Sequence, residues 1–387
     1  MSYVPYGRQS ISEEDIAAVV EVLRSPFLTQ GPVIEQFEAA LAAKVGASRC
    51  LAVNSATAAL HIACLALGVG PGDMVWTSAI SFVASSNCAL YCGADVDFVD
   101  IDPNTFNMSP AALEQKLVEA EAQGRLPKVV IPVHLAGLPC DMAAIGALAK
   151  RFGFRVIEDA SHAIGASDGN QPVGACTHSD ITVFSFHPVK LITTGEGGCV
   201  TTQDADLAAR MALYRSHGIT RDEARMTKPS EGGWYYQQVA LGFNYRMTEM
   251  QAALGLSQLT RLDDFIKDRH RLADRYDARL KHLPIVLPQR TPSSYSGLHL
   301  YPIQLRLEAL SVSHREVFDR LRAAEIGVNL HYIPIYLQPY YADLGFKPGH
   351  CPAAEHYYAR AISIPLFHGM SDAQQDQVIA ALEDALR

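Results

Sequence analysis

No apolar run in this chain approaches the roughly 20 residues that a membrane-crossing helix needs, so a membrane partner is not expected. There is no low-complexity tract and no internal repeat, which removes the repeat architectures. The first residues, Met1-Ser2-Tyr3-Val4-Pro5-Tyr6-Gly7-Arg8, lack the charged-then-apolar pattern of a secretory signal, and a cytoplasmic location is expected. Basic charge is in deficit: 32 Lys and Arg against 41 Asp and Glu leave a net charge of −9. That balance argues against nucleic acid or an anionic membrane surface as the main partner. It leaves room for a phosphorylated small molecule, because helix N-termini and local basic groups bind anions on an acidic protein. The eight cysteines (50, 64, 88, 92, 140, 176, 199 and 351) are scattered, mostly inside apolar runs. Cys88 and Cys92 would share a helix face, but no matching Cys/His pair completes a zinc site. No metal is expected, and all eight read as reduced core thiols.

The composition is that of a soluble globular chain, 49% hydrophobic and 19% charged over 387 residues, long enough for one large and one smaller domain. A helix is expected over 12–24, capped by Ser12 with Glu13, Glu14 and Asp15 in its first turn, and a second over 33–45 after a Thr29-Gln30-Gly31-Pro32 turn. Short apolar strands are then expected at 50–53, 74–77, 96–99, 129–133, 156–158, 181–186 and 199–202. Helices near 57–67, 81–92, 109–122 and 141–152 fall between them. Such alternation implies an α/β fold, a mostly parallel seven-stranded sheet sandwiched by helices. Only a Gly-rich turn separates the last two strands, which predicts an antiparallel edge there. The polar and aromatic stretch 219–240 reads as a long functional loop. One extended helix is expected over 248–282, bent near Gly255. A strand at 298–307, a helix at 313–324, a strand at 328–332 and a helix at 372–386 complete a small α+β C-terminal domain. The expected division is an N-terminal segment 1–30 packing with the small domain, a large domain 31–250, and 251–387 as linking helix plus small domain.

Chemistry concentrates at the ends of the apolar strands. Lys190 follows Ile181-Thr182-Val183-Phe184-Ser185-Phe186 and precedes the turn Gly195-Glu196-Gly197-Gly198. A lysine on a rigid strand end can project into a cleft, where desolvation lowers its pKa and frees the amine to attack a carbonyl. About thirty residues upstream, Arg155-Val156-Ile157-Glu158-Asp159 reads as a parallel strand whose carboxyl end opens into a crevice. A Schiff-base lysine and an aspartate that holds a pyridinium proton are the two groups that pyridoxal phosphate (PLP) needs. Asn54-Ser55-Ala56-Thr57-Ala58 opens a helix whose free N–H groups, with the Thr57 hydroxyl, suit a phosphate, and Ser185 could add another hydroxyl. Phe82 could stack on a flat ring.

In combination these segments resemble the sugar-nucleotide aminotransferases of the DegT/DnrJ/EryC1/StrS type. The resemblance runs from Pro5-Tyr6-Gly7 to the final helix and includes Glu158-Asp159-Ala160, Ser185–Lys190 and Gly242-Phe243-Asn244-Tyr245-Arg246-Met247-Thr248-Glu249. Ala56 departs from the glycine of many members, at little cost, since alanine needs only ordinary backbone geometry. The resemblance implies PLP fold type I, aspartate aminotransferase-like, with Lys190 as the lysine that joins the cofactor and Asp159 as partner of its ring nitrogen. It implies Phe82 as the stacking ring, Thr57, Ala58 and Ser185 as phosphate contacts, and His162 near the 3-hydroxyl. Asn244 would reach the phosphate of the neighbouring subunit's cofactor, which implies a homodimer with shared active sites. Tyr6, Arg8, His187, Arg246 and His331 fall on the implied substrate side. Relatives that deoxygenate sugars carry histidine where this chain has Lys190, so that branch is not expected.

Within the family, Tyr6-Gly7-Arg8-Gln9-Ser10-Ile11, Leu138-Pro139-Cys140-Asp141-Met142, Ser216-His217-Gly218-Ile219 and His331-Tyr332 look closest to one branch. That branch makes UDP-4-amino-4,6-dideoxy-N-acetyl-β-L-altrosamine in pseudaminic acid synthesis. It implies L-glutamate as donor and a UDP-4-keto-6-deoxy-N-acetylhexosamine as acceptor. The same reaction on a D-configured UDP sugar or on a dTDP or GDP sugar stays open, as does a non-catalytic regulator built on the same fold.

Overall fold

A computed structural model describes residues 3–291 and 293–387; Met1 and Ser2 of the N-terminal segment, and Pro292, lie outside the described residues. Seven strands, β1 (Arg49–Val53), β2 (Met74–Ser78), β3 (Asp95–Val99), β4 (Val129–Ile131), β5 (Arg155–Asp159), β6 (Ile181–Ser185) and β7 (Gly198–Thr202), form one sheet. Their order is β1-β7-β6-β5-β4-β2-β3. The pairs from β3 through β6 are parallel, while β7 runs antiparallel to both β6 and β1. The mostly parallel seven-stranded sheet is therefore as expected. The reversed strand is not at the edge, however, because β1 closes outside it and shields its backbone donors. Near-continuous burial along β1, β5, β6 and β7 reflects helices on both faces.

The helices are α1 (Glu13–Arg24), α2 (Pro32–Val45), α3 (Ala56–Ala66), α4 (Ala84–Tyr91), α5 (Pro110–Ala122), α6 (Met142–Phe152), α7 (Ala205–Arg215), α8 (Glu249–Leu259) and α9 (Leu262–Leu280). Ser12 closes a capping box on α1, as its spacing to Asp15 predicts. The start of α2 has no side-chain cap of its own; the buried Glu249 carboxylate accepts from Gly31 N (3.0 Å), Val33 N (2.8 Å) and Ile34 N (3.3 Å) instead. Phe37 of α2 is fully buried and packs edge-on against Phe186, centroids 5.4 Å apart, at the start of the lysine-bearing loop. Truncating such a ring to alanine costs about 3–5 kcal/mol.

The expected single helix over 248–282 is two helices, α8 and α9, broken at Thr260 and Arg261 rather than bent at Gly255. Arg261 leaves helical geometry (φ −105°, ψ 2°) and its guanidinium pairs with the buried Asp15 of α1. Asp15 also accepts from Ser257 Oγ (2.6 Å) and Gln258 Nε2 (2.6 Å), which seats α1 on α8. The helix α7, not foreseen, starts at an Asp204 cap.

The C-terminal part holds α10 (His314–Ala323), α11 (Pro339–Asp343), α12 (Pro352–Tyr358) and α13 (Asp372–Ala385) around an antiparallel sheet. Its strands are β8 (Ile285–Val286), β9 (Tyr301–Leu305) and β10 (Ala361–Ile364), in that order. The expected strand at 328–332 does not form; Asn329 makes only an isolated bridge to Ser363, on the outer edge of β10. Val4 bridges Ile326 and joins the apolar cluster of this part with Leu272, Tyr276 and Val378. No helix among the described residues is long and apolar enough to cross a membrane.

Candidate active site

The ends of β1, β5 and β6 and the start of β7 lie on one edge of the sheet and open into a cleft of about 670 Å³. That volume suits a small cofactor with part of a substrate. Thr57, Phe82, Asp159, His162, Ser185 and Lys190 line it, as do Tyr6, His187 and His331 from the implied substrate side. One cleft thus collects nine of the predicted residues from segments spread over most of the chain.

Lys190 reaches the cleft because its neighbours are anchored. Leu191 and Ile192 are buried in the apolar cluster that holds Phe37 and Phe186. The loop curls back on β6 through Lys190 N to His187 O (2.9 Å) and Thr194 N to Phe186 O (3.0 Å). Burial pushes the Lys190 ammonium down to about 8, against the opposing pull of the Asp159 charge. Asp159, at the end of β5, is buried, with Oδ1 accepting from Ser161 N (3.1 Å) and Oδ2 from Ser85 Oγ (2.6 Å).

The α3 N-terminus has the form of an anion cradle. Ser55 caps it, accepting from Ala58 N at 3.1 Å, and Ser55, Ala56 and Thr57 face the cleft. Ala58 itself is buried, with its N–H occupied by that cap. Gly198 of β7 keeps the approach open: a Cβ there would stand 2.6 Å from Ala56 N. Ser185 lines the same cleft, and Phe82 offers a ring that is 59% exposed. The phosphate cradle, amine, carboxylate and free aromatic face fit pyridoxal phosphate.

His162 is buried, and burial, then the charges of Lys190 and His331, hold it well below the usual imidazole range. His331 is held down to about 3, chiefly by burial, with Nδ1 2.9 Å from Ser363 Oγ. It is both a cleft wall and an anchored side chain. His187 is exposed, 3.9 Å from Glu196.

Four predicted residues stand outside the cleft wall of this chain. Ala58 is one. Arg8 is exposed, with its guanidinium 5.2 Å from the Phe367 ring centroid. Arg246 is half-buried with an unpartnered Nε, and Asn244 is exposed. Three residues that went unassigned belong to the site. Tyr332 Oη is 3.2 Å from His162 Nε2; the His299 ring lies tilted against His162 (centroids 4.5 Å) with a buried, unpartnered Nδ1; Ser85 binds Asp159. Ser85 carried a local signal, the four-residue spacing from Ser81, whereas Tyr332 and His299 meet His162 only through packing.

A family model described as the DegT/DnrJ/EryC1/StrS aminotransferase family matches residues 9–383. Spore coat polysaccharide biosynthesis protein SpsC of Bacillus subtilis (strain 168) is 39% identical over 388 residues, covering 100% of this chain and 97% of its own length. Helicobacter pylori PseC, an aminotransferase involved in the biosynthesis of pseudoaminic acid, superposes with a TM-score of 0.91 at 30% identity, over 100% of this chain and 99% of its own. Spr1654 from Streptococcus pneumoniae matches in its PLP-form (TM-score 0.88, 30% identity, 100% of both chains). Its PMP-form matches with a TM-score of 0.89 at 31% identity, over 99% of this chain and 98% of that one.

Proposed function

This chain belongs to the DegT/DnrJ/EryC1/StrS aminotransferase family, and on that premise we propose that it moves an amino group from L-glutamate to C4 of a UDP-4-keto-6-deoxy-N-acetylhexosamine. It is a PLP-dependent sugar aminotransferase of fold type I. The observation that carries the finer reading is the full-length likeness to PseC together with a cleft that unites Lys190, Asp159 and the α3 cradle. That likeness supports a role in pseudaminic acid synthesis.

Bound pyridoxal phosphate supplies an electron sink for charge that develops at the donor's α-carbon. Thr57, Ser185 and the N–H groups opening α3, with Ala58 N, now capped by Ser55, among them, would hold its phosphate. Phe82 would stack on its ring, His162 would stand near its 3-hydroxyl, and Asp159 would keep a proton on its ring nitrogen. Lys190, with its amine already depressed to about 8, would take up the proton that leaves the donor's α-carbon and deliver it to the cofactor's C4′. Tyr6, His187 and His331 on the cleft wall would orient the sugar nucleotide, with Arg8 and Arg246 joining them from outside it.

We assign Asn244 to the neighbouring subunit's phosphate in a homodimer. Its exposure supports this, as do the exposed Trp234 (74%) and Leu241 (80%) of the adjoining segment, which a partner would cover. Eight unpaired cysteines support a reducing, cytoplasmic setting.

A second reading is the same amination of a different nucleotide 4-keto-6-deoxy sugar, favoured by the 39% identity to a protein of spore coat polysaccharide synthesis. Amination assays with a panel of UDP-, dTDP- and GDP-4-keto sugars separate the two. The pseudaminic acid reading requires the UDP-N-acetyl sugar of L-altro outcome to give the highest kcat/KM, and preference for any other acceptor overturns it.

A further inference from the structure

We propose that Ser81 and Ser85 form a directed hydroxyl relay that positions the Asp159 carboxylate. The inference rests on the reading of Asp159 given above. Ser85 Oγ is 2.6 Å from Asp159 Oδ2, and Ser81 Oγ is 2.7 Å from Ser85 Oγ. All three residues are buried: Ser81 3%, Ser85 0% and Asp159 5% exposed.

The direction of the relay follows from proton counting. An ionised carboxylate only accepts, so Ser85 must donate its single proton to Oδ2. Ser85 Oγ then has only lone pairs left for Ser81, which must donate to it. Each bond polarises the next, and the chain ends on a charge, where hydrogen bonds are strongest. Ser81 lines the cleft, so the relay starts beside the ligand and finishes on the carboxylate.

Burial costs the Asp159 carboxylate its water partners. Two donors replace them, Ser161 N on Oδ1 and Ser85 Oγ on Oδ2, one for each oxygen. Ser161 is two residues away and restrains the carboxylate only through the local chain. Ser85 comes from another element, α4, and fixes the rotation of the carboxylate plane relative to the cleft. The four-residue interval places both hydroxyls on one side of the turn that opens α4, the side facing the end of β5. Ser85 does not itself line the cleft and acts through Asp159, so it is a positioning residue.

The test uses the holoenzyme. Ser85→Ala should lower kcat by about 10- to 100-fold, the loss of one hydrogen bond to a charged group. KM for the amino donor should stay within about twofold. The pH midpoint of the bound cofactor's visible band should move in the same direction as in Asp159→Asn, by about half a unit or more. Ser85→Thr, which keeps the hydroxyl, should recover both rate and midpoint. In an Asp159→Asn background, Ser85→Ala should cost less than about twofold, because its target is already gone. An equal loss in both backgrounds, or an unmoved midpoint in Ser85→Ala, overturns the relay while leaving the Asp159 assignment standing. A wild-type rate in Asp159→Asn overturns both.

Discussion

Tyr332 Oη and His162 Nε2 meet at 3.2 Å across the cleft, although 170 residues separate them in the chain. Ala136 N donates to Nδ1 of the same ring at 3.3 Å, which assigns the single proton of the neutral imidazole to Nε2. His162 therefore donates to Tyr332, and the contact ties the C-terminal part to the sheet that carries Lys190. Tyr332→Phe should lower the stability of the cofactor-free chain by about 1 kcal/mol, read as a shifted urea midpoint at unchanged slope. A midpoint equal to wild type would remove this clasp from the account.

Lys190 joins a buried amine to a nearby carboxylate. In the cofactor-free protein, labelling of position 190 by an amine-reactive reagent should rise with pH through about 8. A lysine in a model peptide, with a pKa of about 10.4, is the reference. Peptide mapping across a pH series gives the comparison. Lys190→Ala should abolish multiple turnover and the visible band of lysine-bound cofactor, and borohydride should then trap no label at that position.

Three imidazoles of the cleft, His162, His299 and His331, are held neutral in the fold, each chiefly by burial. Their folded pKa values are depressed below the ordinary 6.5, to about 3 for His331. The unfolded chain thus binds more protons between those limits. Their contribution to stability is fully present above pH 6.5 and is lost as pH falls towards 3. Thermal melts of the cofactor-free protein should show Tm falling across that window, and a His331→Gln variant should show a shallower decline.

Asn244 is exposed and away from the cleft of its own chain. Mixing inactive Lys190→Ala with inactive Asn244→Ala subunits should restore roughly a quarter of wild-type activity, since half the dimers then carry one intact site. Absence of any recovery after verified subunit exchange would confine Asn244 to its own chain.

Local pattern carried much of this architecture. The alternation of short apolar strands and capped helices gave all seven sheet strands to within a few residues, because each is set by its own periodicity and caps. Expectations failed where a distant partner decides. The break between α8 and α9 depends on Asp15, more than two hundred residues earlier, drawing Arg261 out of the helix. Residues 328–332 have strand-like composition, but they meet β10 only at the single Asn329–Ser363 bridge, and His331 and Tyr332 beyond it wall the cleft. The α7 helix had a legible Asp204 cap, and the apolar spacing of Leu207, Ala208 and Met211 marks its buried face.

Residue type and position alone determined the chemistry: an amine at one strand end, a carboxylate at another, and a helix start able to hold a phosphate. Which hydroxyl and imidazole groups stand against them was decided by tertiary packing. Ser85 reaches Asp159 across 74 positions and Tyr332 reaches His162 across 170, distances over which no local pattern carries information. Burial, which lowers the Lys190 pKa and keeps the histidines neutral, likewise exists only once those layers close together.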